Sequence, residues 1–278
     1  MKFGAHVSIA GGLDNAPLNA QALGCETFQM FSRSPRGGPA PIITPAVIKS
    51  FRSRAAAADL KDYYLHSPYY INLASSQQRI RVASIRVLRE EIERGSILGA
   101  KGMMTHLGSA KDLGESEAMT MVAAALAEIV KGYQGTTKFI IELSAGAGEV
   151  IGDTFEEVGW LINEAENQVD YEFGVCFDTQ HAFASGYDLR TAKNVKMTID
   201  KFDKNIGQDR LAVMHVNDSK VDLGERKDRH EHLGRGKIGL AGFRALVNDK
   251  RLRDLDLILE TPPDGVAEDI KILKSFRL

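Results

Sequence analysis

Cysteine, proline and tryptophan are scarce in this chain: two Cys, eight Pro and one Trp in 278 residues. Two thiols, Cys25 and Cys176, imply no disulfide framework, and a reducing, cytoplasmic setting is the natural expectation. The opening residues, Met1 to Gly12, hold no apolar segment of the kind a signal peptide uses. No stretch approaches the ~20 apolar residues of a membrane span, so no membrane partner is expected. An excess of one charge is missing as well. The 35 Lys and Arg against 37 Asp and Glu leave a net charge of −2, so nucleic-acid binding would have to rest on a local basic patch. Gly11-Gly12 is only a turn pair, and without a Gly-x-Gly-x-x-Gly turn after the first strand a dinucleotide fold is not expected.

What the chain does have is alternation. Short apolar, β-rich runs recur at 2–7, 27–32, 62–66, 102–107, 138–143, 173–178, 211–217 and 256–261. Segments with helical spacing lie between them, at 45–59, 77–99, 116–131, 154–166, 191–206, 240–248 and 266–275. The clearest is 77–99, where Ile80, Ala83, Ile85, Val87, Leu88, Ile92 and Leu98 form one broad apolar face and Gly99 ends it. Eight strand–helix units predict an α/β fold, a single-domain (β/α)8 barrel spanning residues 1–278. In such a barrel the strand ends and following loops form the catalytic mouth. The loop at 33–46, rich in Pro and Gly, is either an ordinary connection or a substrate-facing loop on that side.

The metal-binding residue types fall at those strand ends. His66 ends the third strand, His106 the fourth, Glu142 the fifth and Asp178 the sixth, with His181 three residues on. His215 ends the seventh, with Asp228 and His230 in the loop beyond, and Glu260 ends the eighth. Any one of these has a plain structural explanation. Nine in register do not, and five of the seven histidines belong to the set. Five imidazoles and four carboxylates at one mouth require cations, because buried charge must be paired. Nine donors exceed one tetrahedral ion and suit two or three, with one carboxylate bridging. Donors without Cys favour zinc or manganese. Clustered divalent ions suit phosphoryl chemistry.

The segments that carry these residues resemble the endonuclease IV family of AP endonucleases. They are GAHVSIAGGLDNA at the start, HSPYYINLAS at 66–75, THLGS at 105–109, IELSAGAGEVIG at 141–152, GVCFDTQHAFASGYDLRT at 174–191, HVNDSKVDLGERKDRHEHLGRGKIG at 215–239 and LILETP at 257–262. The resemblance implies a TIM barrel with three Zn2+ per chain, manganese being an alternative at one site. It implies cleavage of double-stranded DNA on the 5′ side of an abasic site, leaving a 3′-hydroxyl and a 5′-deoxyribose phosphate, with 3′-end trimming as an extension. A monomer is the default for the family. Carried onto matching positions, His66 and His106 would hold one zinc together with Glu142. Glu142 would bridge to a second, held also by Asp178, His215 and Glu260. His181, Asp228 and His230 would hold the third. Glu142 and Glu260 would be the catalytic carboxylates, Glu260 helping to orient the attacking water. Tyr69 and Arg36 would enter the duplex from opposite grooves.

The chain departs from the family pattern at Leu143 for Asn, Gln180 for Cys, Leu107 for Pro and Gly38 for Trp. No ligand is lost, and the change at Gly38 falls in the loop after strand two. Among other residues, His6 reads as structural or supporting a ligand, His232 as a solvated or rim residue and Cys176 as barrel filling. Lys220, Arg226, Lys227, Arg229, Arg235 and Lys237 make the seventh loop basic, either a wet face or a phosphate-contacting one. Arg229, between two ligands, is the best candidate for phosphate.

Two other classes compete. A sugar isomerase or epimerase would need only Glu142, Asp178, His215 and Glu260, leaving five donors without a purpose. A non-catalytic damage-binding protein would not need the ligand set intact.

Overall fold

The eight barrel strands are mostly apolar, as suits strands covered on both faces. The computed structural model, which describes every residue except Asp112 and Leu278, arranges them as β1 (Lys2–Val7), β2 (Thr27–Phe31), β3 (Tyr63–His66), β4 (Gly102–Thr105), β5 (Lys138–Glu142), β6 (Gly174–Asp178), β7 (Leu211–His215) and β10 (Asp256–Leu259). All pair in parallel with their sequence neighbours, and β1 pairs with both β2 and β10, so the sheet closes. The predicted (β/α)8 barrel is therefore the observed fold. Strands β8 (Asp218–Ser219) and β9 (His230–Glu231) form a small antiparallel pair in the loop after β7.

Helices α2 (Pro45–Ala57), α3 (Gln78–Leu98), α4 (Glu115–Val130), α5 (Phe155–Glu166), α7 (Ala192–Asn205), α8 (Leu240–Val247) and α9 (Val266–Ser275) follow the expected segments to within two residues at each end. Thr44, Thr154 and Thr191 each cap a helix by accepting from the backbone N–H three residues on. Gly99 closes α3 with φ 94°, a left-handed conformation open to glycine at little cost. Two helices were not expected. Helix α1 (Ala16–Leu23) connects β1 to β2 and buries only Ala16, Pro17 and Ala20, too small an apolar face to read from sequence. Helix α6 (Thr179–Ala184) is a turn and a half whose N-cap is Asp178 itself.

Inside the barrel, Tyr64, Met104, Ile140, Cys176, Val213 and Ile258 form one buried layer. Successive side chains on a strand alternate faces, so the residue two positions on from each points into the same lumen, one level nearer the mouth. Those residues are His66, His106, Glu142, Asp178, His215 and Glu260. The apolar layer is thus the floor of the site. Cys176 fills it as expected, and burial pushes its thiol up to about 12, which keeps it protonated.

Between β6 and β7 the register shifts: Val175 pairs with Leu211, but Cys176 pairs with Val213. The skipped residue, Ala212, acts as a bulge. Without it Asp178 would lie opposite Met214; with it Asp178 pairs with His215. Among the described residues no helix is long and apolar enough to cross a membrane.

Candidate metal centre

His66, His181, His215 and His230 each have one ring nitrogen engaged, which settles where the other points. His66 Nδ1 donates to the carbonyl of Ser67 at 2.7 Å, leaving Nε2 facing Glu142 Oε2 at 3.0 Å. His106 Nε2 faces the same oxygen at 3.5 Å. His181 Nδ1 donates to the Leu143 carbonyl at 2.9 Å, and His230 Nδ1 to the Glu260 carbonyl at 3.1 Å. Their Nε2 atoms then face each other at 3.4 Å, with Asp228 Oδ1 at 3.5 and 3.4 Å from them. Lone pairs on two imidazoles and a carboxylate converge at the corners of a near-equilateral triangle. Such a set repels itself unless a positive charge sits among the three.

The middle group is denser. His215 Nδ1 lies 2.9 Å from Glu142 Oε1, 3.3 Å from Glu260 Oε2 and 3.7 Å from Asp178 Oδ2. Its other nitrogen donates to Gln29 Oε1 at 2.7 Å. Glu142 joins the groups: Oε2 faces His66 and His106, Oε1 faces His215. Four ligands at about 2.0–2.1 Å around a tetrahedral zinc would stand about 3.3 Å apart. The observed 2.9–3.7 Å separations match that spacing, so the residues fit divalent cations. The sets His66–His106–Glu142 and Glu142–Asp178–His215–Glu260 each converge tightly enough to hold an ion, and Asp178 also approaches His181 and His230.

The titration behaviour says the same. Burial opposes charge here, yet the imidazoles around Glu142 hold its carboxyl well below the usual range, and His215 does the same for Glu260. Burial would lower His181, but Asp178 and Asp228 outweigh it and raise it to about 10. Its partner Asp228, despite partial burial, falls to about 2. These groups demand positive charge, which either protons or metal ions can supply.

Sequence reasoning missed the neutral amides that hold the ligands. Gln29, inward-facing on β2, accepts from His215 and donates to Glu260 Oε1 at 2.6 Å and to His6 Nδ1 at 2.9 Å. Asn217 donates to Asp178 Oδ2 at 2.7 Å and accepts from the Glu260 backbone N–H at 2.7 Å. A polar residue inside the apolar run TFQMF was the available signal for Gln29. His6 supports the ligands through Gln29, its Nδ1 accepting from that amide while standing 3.3 Å from Glu260 Oε1.

Asp228 and His230 come from a loop, and one buried carboxylate organises that loop. Asp218 accepts from the backbone N–H groups of Ser219, Gly234, Gly236, Ile238 and Gly239 at 2.8–3.4 Å. His232 does not lie on the rim as a solvated residue. It is 6% exposed and hydrogen-bonds Asp269 of α9 at 2.7 Å, because the chain turns inward there to dock on that helix.

The basic character of the seventh loop is largely neutralised. Arg226 pairs with Asp153 at 2.7 Å, Lys227 with Glu225 at 2.5 Å, and Lys220 and Lys237 stand near Glu231 and Asp222. Arg229 and Arg235 are exposed and, among the described residues, have no carboxylate within ion-pair distance. Arg36 is likewise exposed. Tyr69 is 70% exposed, with its ring edge-on to Phe31. It borders a cavity of about 410 Å³ whose lining also includes Asn72, His106, Ser109, His181 and Asp228.

A family model described as a xylose isomerase-like TIM barrel matches residues 18–276. The chain is 39% identical over 279 residues to a probable endonuclease 4 of Campylobacter curvus, covering 99% of this chain and 98% of that protein. It is 37% identical over 279 residues to a probable endonuclease 4 of Cenarchaeum symbiosum, covering 100% and 99%. The crystal structure of endonuclease IV from Thermus thermophilus superposes with a TM-score of 0.87 at 32% identity, covering 99% and 98% of the two chains. A D-tagatose 3-epimerase-like protein superposes at 0.74 with 20% identity, which shows a shared fold alone. Full-length identity to these endonucleases, on top of a barrel whose mouth gathers every expected donor, means that the chain belongs to the endonuclease IV family of AP endonucleases.

Proposed function

We propose that this chain is a DNA-repair endonuclease that cuts the backbone 5′ to an abasic site, leaving a 3′-hydroxyl and a 5′-deoxyribose phosphate. The carrying observation is that Glu142 turns one oxygen toward His66 and His106 and the other toward His215, while a separate triad, His181, Asp228 and His230, stands beside them. Nine donors so disposed fit three ions, and zinc suits their mixture of imidazole and carboxylate. The isomerase alternative accounts for Glu142, Asp178, His215 and Glu260 and for none of the other five.

Bound divalent ions supply Lewis acidity to a phosphodiester and make water a nucleophile near neutral pH. The chain's own residues do the rest. Glu142 and Glu260 are the catalytic carboxylates, and Glu260 helps to orient the attacking water. His181, Asp228 and His230 form the end of the site that meets the scissile phosphate. Arg229 and Arg235 offer guanidinium groups to neighbouring phosphates. Tyr69 and Arg36 press on the base stack, and the unpaired sugar turns into the cavity beside Tyr69; a missing base lowers the cost of that rotation. The protein works as a cytoplasmic monomer, as one domain over residues 1–278.

The test is incubation of the purified protein with a duplex carrying one abasic analogue. Cleavage on the 5′ side, abolished by a chelator and restored by Zn2+, is the expected result. An intact duplex in the presence of zinc, with epimerisation of a ketose instead, would replace this reading with the isomerase.

A further inference from the structure

We infer that Gln29 is a positioning residue for the middle metal site, acting through His215 and Glu260 at once. The inference rests on the proposed metal-dependent function and deepens it. Gln29 lies on β2, a strand that contributes no metal ligand. Its side chain is fully buried and inward-facing, paired with His6 of β1 on one side and with Tyr64 of β3 on the other. A polar amide so placed needs partners, and each of its polar atoms has one.

The direction of each bond is forced. Glu260 is a carboxylate and can only accept, so the atom of Gln29 at 2.6 Å from its Oε1 must be the NH2. The other amide atom is then the carbonyl, 2.7 Å from His215 Nε2, and that nitrogen must carry a proton. The lone pair of His215 is thereby assigned to Nδ1, the nitrogen that faces Glu142, Asp178 and Glu260. On the other ligand, engaging Oε1 of Glu260 directs Oε2 toward that same point. One neutral side chain thus selects the tautomer of one ligand and the rotamer of another. The second amide hydrogen goes to His6 Nδ1, which braces the amide against flipping. A neutral amide suits this role because it keeps its donor and acceptor ends at every pH at which the protein folds.

Partners that orient metal ligands are typically worth about 10–100-fold in affinity or activity. The test is Gln29→Met, which preserves approximate volume and removes both polar atoms. Metal-free parent and variant are titrated with Zn2+ against a fluorescent chelator, and bound metal is counted after dialysis. The expected result is one site of three weakened by about 10–100-fold, with the other two unchanged and the kcat for abasic duplex lowered more than KM is raised. Gln29→Asn keeps an amide but is one methylene too short to span both partners, and it gives the same selective loss. Equal weakening of all three sites, or full affinity in either folded variant, overturns the inference. If Gln29→Met does not fold, Gln29→Asn alone decides. A parent that takes up no zinc overturns this inference together with the proposed function. A parent with three zinc ions that leaves an abasic duplex whole overturns only the activity, because the Gln29 comparison is read on the metal.

Discussion

Glu260 shows how much chemistry one side chain carries. It stands 17% exposed at the end of the eighth barrel strand, one oxygen held by Gln29 and the other aimed at His215. Glu260→Gln keeps the shape and removes the charge. Under the proposed function it still binds an abasic duplex but loses incision by at least about 10²-fold; single-turnover cleavage and a gel-shift titration measure the two, and near-normal cleavage would remove Glu260 from its role. Among the described residues Arg229 pairs with no carboxylate and its guanidinium donates only to the Asp228 carbonyl, so Arg229→Ala weakens DNA binding and reduces the slope of log affinity against log salt by about one; an unchanged slope makes Arg229 structural. The metal triad also has a pH signature. In metal-free protein His181 is raised to about 10 from the ordinary histidine value, so its stabilisation is complete below about pH 6.5 and is lost as pH rises through about 10. Asp228, lowered to about 2, stabilises above about pH 4 and loses that as pH falls through about 2. Metal-free protein therefore melts progressively lower between about pH 6.5 and 10, whereas zinc-loaded protein, whose imidazoles carry no such proton, does not. Thermal melts across that range with and without zinc decide it; parallel curves would contradict the pairing.

At the scale of elements, the ligands came into view from sequence because strand ends are fixed by an apolar run followed by a polar residue. His66, Glu142, Asp178 and His215 are the last residues of β3, β5, β6 and β7, and His106 and Glu260 lie one residue beyond β4 and β10. Pairing register and the bulge at Ala212 were not legible, since both depend on neighbours far apart in the chain. Asn217 was not legible either, and Gln29 showed only as a polar residue in an apolar run: neutral amides carry no charge pattern, and only the fold reveals what they touch. His232 was misread because a His in a Gly- and Arg-rich stretch looks solvated, whereas its docking partner, Asp269, is 37 residues away. The loop carrying Asp228 and His230 depends on the Asp218 carboxylate, whose five amide partners would be left unsatisfied by Asp218→Ala. That variant should lose about 3 kcal/mol of stability and the ion of the His181–Asp228–His230 triad while keeping the other two; thermal melts and metal counts test both, and three retained ions would refute the dependence. The loop after β2 is clamped likewise: buried Glu91 of α3 accepts from Ser32 and Arg33, and Arg94 holds the carbonyls of Ser32 and Pro41. The departure at Gly38 leaves that clamp in place.

For the whole molecule, closure of the sheet turns scattered sequence positions into one centre. Donors from His66 to Glu260, nearly two hundred residues apart, meet because eight parallel strands end at the same rim. The barrel itself was readable from eight alternating units. The division of the nine donors among ions came from the family resemblance and not from the residue pattern, because it depends on which oxygen of Glu142 each imidazole faces. The central claim is that this rim is assembled for several cations, not for protons and salt bridges. Elemental analysis of protein purified without chelator measures it most directly. The account predicts about three zinc ions per chain, falling to about one when Glu142, the carboxylate shared by two sites, is replaced in Glu142→Ala. A single ion per chain in the parent, or a count unchanged by Glu142→Ala, would contradict it.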